Sequence, residues 1–364
     1  MSPQAKFVKI GGAWKSVTAE FVKVGGLWKS VTTNAVKIGG TWKSIGLAER
    51  RIYVTEQSSE RCYRVTNEGA EDWVYYAGGL VDPVAVAVDD DGNSYWACTN
   101  NIYKLDNDGN LVWSRSYRPY DVGPPVVLEA WHNSPVKSIC VDADGYVYSG
   151  DFAGVVQKTS PTGDHVWRKS LGANYAVYAL AIDAGTMLYA GTGFAYDAVY
   201  RLQIVNGNSA RIYTSTSGDI SAIAVDDDGT LYVGDGTGHY RKMSTSGFVY
   251  WTKAPGGGIT QLVIGHDGYG YCSDGSAREL IKFARASGTP AWTYDPGGTA
   301  YAMGVGVDQG GRVYGAYQIA GNSVENVIRQ VDSSGNWVWS WSPYVSAQFY
   351  GLAVTPGIKA AGFG

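Results

Sequence analysis

Cysteine is scarce and scattered: Cys62, Cys98, Cys140 and Cys272 are the only four in 364 residues. Spacing this wide excludes the paired motifs of zinc sites and redox centres. The four read as free thiols, three of them beside apolar strand residues. No apolar run approaches the roughly 20 residues needed to cross a bilayer. The opening Met1-Ser2-Pro3-Gln4-Ala5-Lys6 lacks the apolar core of a secretory signal, so the expectation is a protein made and folded in a cytoplasm, without membrane insertion. Charged residues are few, at 17%, and histidines number four. What abounds is Gly (49), Tyr (27) and Trp (13), the composition of short strands joined by tight turns. The sparse charge is also uneven. Residues 1–46 hold seven Lys against one Glu, a net +6, which leaves −10 on the remainder of a chain whose total is −4. An acidic body argues against nucleic-acid binding, which needs a basic face. A cationic segment ahead of it suits docking to an acidic partner or simple solvation of hairpin faces.

That cationic segment says one thing three times. Phe7-Val8-Lys9-Ile10-Gly11-Gly12-Ala13-Trp14-Lys15-Ser16 returns as Phe21–Ser30 and again as Ala35–Ser44, with Trp14, Trp28 and Trp42 spaced 14 residues apart. Each unit reads as a β-hairpin around a Gly-Gly turn. In the simplest register Lys9 faces Trp14, and Lys23 and Lys37 repeat the arrangement against Trp28 and Trp42, setting a cation against an indole. Three hairpins of about 40 residues cannot bury a core alone, so they must pack on one another, on the body or on another subunit. The unit Val-Lys-[Ile/Val]-Gly-Gly-x-Trp-Lys-Ser resembles short tandem modules of bacteriophage tail and fibre proteins. That resemblance implies a virion component at a tail tip, fibre or baseplate, assembled in the host cytoplasm, with residues 1–46 as the attachment to other tail proteins.

From residue 50 onward a longer pattern recurs at about 40-residue spacing. An apolar strand ends in Asp, a turn follows, then a Tyr-bearing strand, a third strand and Gly-x-x-x-Trp. The endings are Gly69/Trp73, Gly109/Trp113, Gly163/Trp167, Gly247/Trp251, Gly288/Trp292 and Gly335/Trp339, with a degenerate copy at Gly207/Arg211. First strands begin near Val84, Val136, Val177, Ile220, Ile259 and Met303. Four short strands per repeat indicate a β-propeller blade. The first repeat lacks its first strand, and Tyr350–Val354 is a first strand with nothing after it. The two fragments complete each other, giving an all-β, seven-bladed β-propeller over 47–364, closed by its C-terminal strand, which removes an open edge. Gly is expected in the turn before each fourth strand with positive φ, and Trp on the outer strand covering a neighbouring blade. This ending resembles the tryptophan-docking motif of quinoprotein (PQQ-type) propellers. The stretches Val88–Asn93 and Val225–Gly229 resemble NHL-like and lactonase-like propellers.

Chemistry is thin. Asp89/Asp91/Gly92, Asp142/Asp144/Gly145 and Asp226/Asp228/Gly229 look like calcium loops but lack the distal bidentate Glu, and Asp and Gly are what a tight turn requires. No metal and no cofactor is expected. The quinoprotein enzymes have eight blades, an export signal and often adjacent cysteines, none of which is visible here. A glycan-degrading enzyme would draw on Glu129, His132, His165, His239, His266 and assorted Asp residues. No paired-carboxylate spacing can be read, because a propeller joins residues from several blades. The expectation is therefore no enzyme. The recognition surface is expected on long face loops: Tyr117, Arg118, Tyr120, Trp131 and His132 after the second blade, Phe194 and Tyr196 in an insertion between a second and third strand, and Tyr317 in another. Host-surface glycan, host-surface protein and a second copy of the chain remain open as partners there. A glycan-degrading tail enzyme and a non-viral cytoplasmic scaffold are the alternative functions.

Overall fold

The computed structural model describes residues 51–355 apart from 58–59, 79–81, 90, 117–133, 174, 184–185, 195, 299, 309, 320–324 and 344–348. Ahead of these it describes six strands between residues 6 and 44. The chain divides into two compact units, Met1–Glu49 and Arg50–Gly364. Among the described residues every long regular element is a strand, and no helix is long and apolar enough to cross a membrane.

The first unit consists of three separate two-stranded sheets. Lys6–Ile10 pairs with Ala13–Val17, Phe21–Val24 with Leu27–Ser30, and Ala35–Ile38 with Thr41–Ser44. The register is the simple one: Lys9 is opposite Trp14, Lys23 opposite Trp28 and Lys37 opposite Trp42. The Gly-Gly turns, and any contact between those lysine and tryptophan side chains, lie outside the described residues.

The second unit is a ring of seven four-stranded antiparallel sheets. Six are continuous in sequence and begin at Pro83, Val136, Tyr175, Ile220, Ile259 and Ala300. The seventh takes Phe349–Thr355 as its inner strand beside Arg51–Glu56, Arg61–Thr66 and Glu71–Tyr76, with Leu352 opposite Val54 and Thr355 opposite Arg51. We number this closing sheet blade 1 and the others 2 to 7 in chain order. Inner strands touch their neighbours all the way round, and blade 2 touches Phe349–Thr355, so the ring is shut. Each inner strand carries a β-bulge near its start, which turns the strand's end at the rim of the face. All four cysteines are free and buried on inner, second or third strands.

One joint, repeated, holds the blades together. The turn glycines before the fourth strands have φ between 69° and 90°, a region open to Gly without steric cost. A Cβ on Gly109 would lie 2.9 Å from the Trp73 ring of the previous blade, and one on Gly69 would lie 2.8 Å from Trp339. The indole thus lies flat against a glycine of the next blade. Its N–H then donates to that turn's carbonyl: Trp113 to Pro161 at 2.9 Å, Trp167 to Ile204 at 2.9 Å, Trp292 to Ser333 at 3.1 Å and Trp339 to Asn67 at 2.9 Å. Opposite each tryptophan on the third strand stands a long polar side chain, such as Arg64, Lys104, Lys158, Lys242 or Lys282. The lysines lie over second-strand tyrosines, with Lys104 5.1 Å from the Tyr95 ring and Lys158 5.2 Å from Tyr148. Two joints depart from the rule. At Arg211 no indole exists, and Gly247 packs directly on the Ile212 backbone. At Trp73 the indole N–H is buried without a partner, because Arg64 has taken the Asn107 carbonyl for its own guanidinium.

The Asp-containing turns are held by their own residues. Asp89 Oδ1 accepts from the backbone N–H of Asp91 and Asn93, and its Oδ2 accepts from the Tyr95 hydroxyl at 3.0 Å. Asp142 with Tyr148, Asp226 with Tyr232 and Asp308 with Tyr314 repeat the arrangement. Burial and the adjacent carboxylate both push these tyrosines far above their ordinary pKa. The aspartate oxygens thereby organise turns and brace the second strand.

Candidate recognition face

Because strands alternate in direction, the second-to-third-strand loops and the blade-to-blade connections emerge on one face. Blade 4 rises above its neighbours there. Its first two strands, Tyr175–Ile182 and Met187–Phe194, are each eight residues long, and pairing continues past the usual end through Ala176–Gly193 to Tyr175–Phe194. The extra pairs form a crest that carries two of the expected residues.

Phe194 stands 66% exposed with φ at 72°, a left-handed conformation that a bulky side chain seldom adopts. Its backbone N–H donates to Asp219 Oδ1 at 2.8 Å, and its ring meets Phe152 of blade 3 at 5.2 Å. Lys137, on the bulge of the blade 3 inner strand, lies 5.9 Å from the Phe152 ring. Tyr196 stacks on Tyr175 at 5.2 Å and 22°. The Arg211 guanidinium lies 5.0 Å over the Tyr196 ring and donates to its hydroxyl. The residue that breaks the tryptophan pattern is therefore used on this face.

Acidic groups border the crest. Burial, and then the neighbouring Asp219 carboxylate, raise the pKa of the Asp197 carboxyl. Asp235 behaves in the opposite sense. Burial opposes its ionisation, but Ser217, the His239 N–H, Arg241 and Thr237 all donate to it and hold its pKa well below the ordinary value. The Arg241 contact is 2.7 Å. Asp151 caps the turn leading to Val155, whose N–H donates to it at 2.8 Å, yet burial raises its pKa to about 6. A folded-state pKa above the unfolded value means that Asp151 costs stability as pH rises from about 4 to 6, up to roughly 3 kcal/mol. Asp151→Asn keeps an acceptor for Val155. It is expected to raise urea stability at pH 7.5 by about 1–2 kcal/mol and to flatten the profile between pH 4 and 6. No gain at pH 7.5 would refute this account of the carboxylate.

The remaining expected residues separate. Tyr117, Arg118, Tyr120, Trp131 and His132, with Glu129, lie outside the described residues; the connection that holds them runs from Ser116 to Val136 and is far longer than the others. Tyr317 is a correction. It lies within the strand Val313–Ile319, opposite Ala302 and Val327, and is fully buried, so it is core and not loop. The first two strands of blade 7 are extended as in blade 4, which draws Tyr317 into the sheet. The described histidines do not meet. His239 borders Asp235 on the recognition face, whereas His165 follows a turn of blade 3 and His266 lies within a turn of blade 6, both on the opposite face. Phe152, Tyr175, Lys137 and the Asp197–Asp219 pair were not singled out from sequence. A further hollow of about 410 Å³ lies at the rim of blade 1, lined by Arg61, Tyr63, Glu71, Val74, Tyr76 and Pro343.

The shut ring of tryptophan-joined sheets defines a seven-bladed β-propeller of the PQQ type. The chain belongs to the PQQ_2 family, described as outer membrane protein assembly factor BamB, whose model matches residues 153–348, more than half of its length. Solved structures share the fold at low identity. A streptogramin B lyase has 12% identity and a TM-score of 0.61, covering 78% of this chain and 90% of that one. Virginiamycin B lyase from Staphylococcus aureus has 12% identity and a TM-score of 0.60 over the same shares. A protein of unknown function from Bacteroides caccae has 11% identity and a TM-score of 0.53, covering 84% of this chain and 99% of that one. A search of the curated proteins found no match.

Proposed function

We propose that this chain is a non-enzymatic structural component of a bacteriophage tail, at the tip, fibre or baseplate. It is assembled in the host cytoplasm, attaches through residues 1–46 and displays the propeller face for host-surface recognition or subunit contacts. The observation that carries the reading is the hairpin triplet. Three copies of one register, each only two strands wide, are marginal structures in water and need neighbours. A net +6 on that segment favours neighbours of opposite charge. The family description, an assembly factor, supports a propeller that works by binding. The Asp turns are satisfied by their own backbone and tyrosines, which supports a role without metal.

Deletion of residues 1–46 tests the attachment. The remaining propeller is expected to keep its melting temperature within about 2 °C, since no blade loses a strand, and to disappear from purified particles. Incorporation of the shortened chain at the normal level would rule out the triplet as the anchor.

A further inference from the structure

Phe194 is held where the free protein gains little from it. The ring is two-thirds exposed, and the backbone conformation is one that glycine adopts at no cost. The neighbouring residue is glycine for a visible reason: a Cβ on Gly193 would lie 2.5 Å from the Asp219 side chain, which must approach to accept the Phe194 N–H. The sequence thus spends its glycine at 193 and keeps a bulky ring at 194. The Phe152 ring of the preceding blade packs beside that ring. Beside it lie the half-exposed Asp197–Asp219 pair and the Tyr175–Tyr196–Arg211 stack.

We propose that the blade 4 crest is a subsite for a neutral saccharide, with the Phe194 face stacked on the sugar C–H face and the Asp197–Asp219 pair bound to its hydroxyls. The inference rests on the reading of this face as a recognition surface. Sugar chemistry matches what is present. A pyranose offers an apolar face and a polar edge about one ring wide, and the crest offers an exposed aromatic ring beside a carboxyl pair. A protein partner would call for a contiguous apolar patch of several hundred Å², and among the described residues of the blade 4 crest the exposed apolar surface is the Phe194 ring, bordered by polar groups. An anionic polymer would meet Asp197, Asp219 and Asp235, and nucleic acid would do so without a basic groove to compensate.

The test is a glycan array of neutral hexose and N-acetylhexosamine oligosaccharides probed with the full chain, its Phe194→Gly and Asp197→Asn variants, and Tyr250→Ala. Tyr250 is an exposed aromatic on the outer strand of blade 5 and serves as the control. Phe194→Gly removes the ring and relaxes the backbone, so its melting temperature should hold or rise. Wild type and Tyr250→Ala are expected to bind the same glycans, with at least a tenfold loss for Phe194→Gly and Asp197→Asn. Unchanged binding by Phe194→Gly overturns the proposal, as does a wild-type chain that binds none of the array. Host-cell adsorption of particles separates the two readings. A blank array with adsorption still impaired by Phe194→Gly sinks the saccharide alone. A glycan-positive propeller on particles that adsorb normally without it sinks the recognition role and leaves the sugar site standing.

Discussion

Ending the chain before Phe349 is expected to abolish cooperative folding of the propeller. Phe349, Leu352, Ala353 and Val354 are 0–3% exposed; Phe349, Leu352 and Val354 pack in one cluster with Ile52, Val54 and Tyr63, and Ala353 in another with Tyr53 and Val86. At about 1.5–3 kcal/mol for each large side chain, their loss approaches the whole net stability of a typical domain. The truncation also leaves Arg51–Glu56 as an open edge facing the inner strand of blade 2, a template for aggregation. A circular permutant separates topology from composition. Thr355 pairs with Arg51, so a short Asn-Gly turn can join them as the first two strands of the other blades are joined, with new ends placed between 342 and 349. The truncation is expected to appear in the insoluble fraction, and the permutant to melt in one transition near wild type. A soluble truncation with an unchanged thermal transition would mean that the ring does not depend on closure.

The second large effect concerns the joints. Trp113→Phe removes a donor from the Pro161 carbonyl, and Trp73→Phe removes a donor that already has no partner. The two substitutions delete the same atoms from equivalent sites, so the hydrophobic loss largely cancels between them. A part-buried carbonyl stripped of its donor costs at most about 1–3 kcal/mol, and relief of an unpaired buried N–H acts in the opposite direction. Urea unfolding is therefore expected to show Trp113→Phe less stable than Trp73→Phe by about 1–3 kcal/mol. Equal losses would show that indole hydrogen bonds contribute nothing to blade adhesion.

Much of this architecture is legible from local spacing. Gly-x-x-x-Trp places a turn and an outer-strand indole four residues apart in six of the seven copies, and the seventh keeps its glycine at Gly207, so the count of blades follows from the chain alone. The unpaired strands at Arg51 and Tyr350 imply closure because each lacks what the other supplies. The third-strand cations escaped notice, since Arg64 and Lys158 acquire meaning only against a carbonyl some 45 residues away in the next blade. The first strands of blades 4 and 7 begin two and three residues earlier than Val177 and Met303 suggest. Pairing partners fix such extensions, and local composition does not mark them. This is why Tyr317 reads as a loop residue and lies in the core, and why Phe194 reads as part of an insertion and ends a strand. The Asp219 carboxyl reaches the crest from the connection that leads into blade 5, where it accepts the Phe194 N–H, a proximity that the packing of adjacent blades creates and residue spacing does not show.

Where the protein resides separates a tail component from every other role. An antibody against the propeller, applied to phage particles purified from cultures that produce this chain and viewed by negative-stain electron microscopy, tests the proposed tail location directly. The expected result is label confined to the tail, lost when residues 1–46 are deleted. Unlabelled particles, with the full-length protein recovered only from the soluble fraction of infected cells, would contradict it.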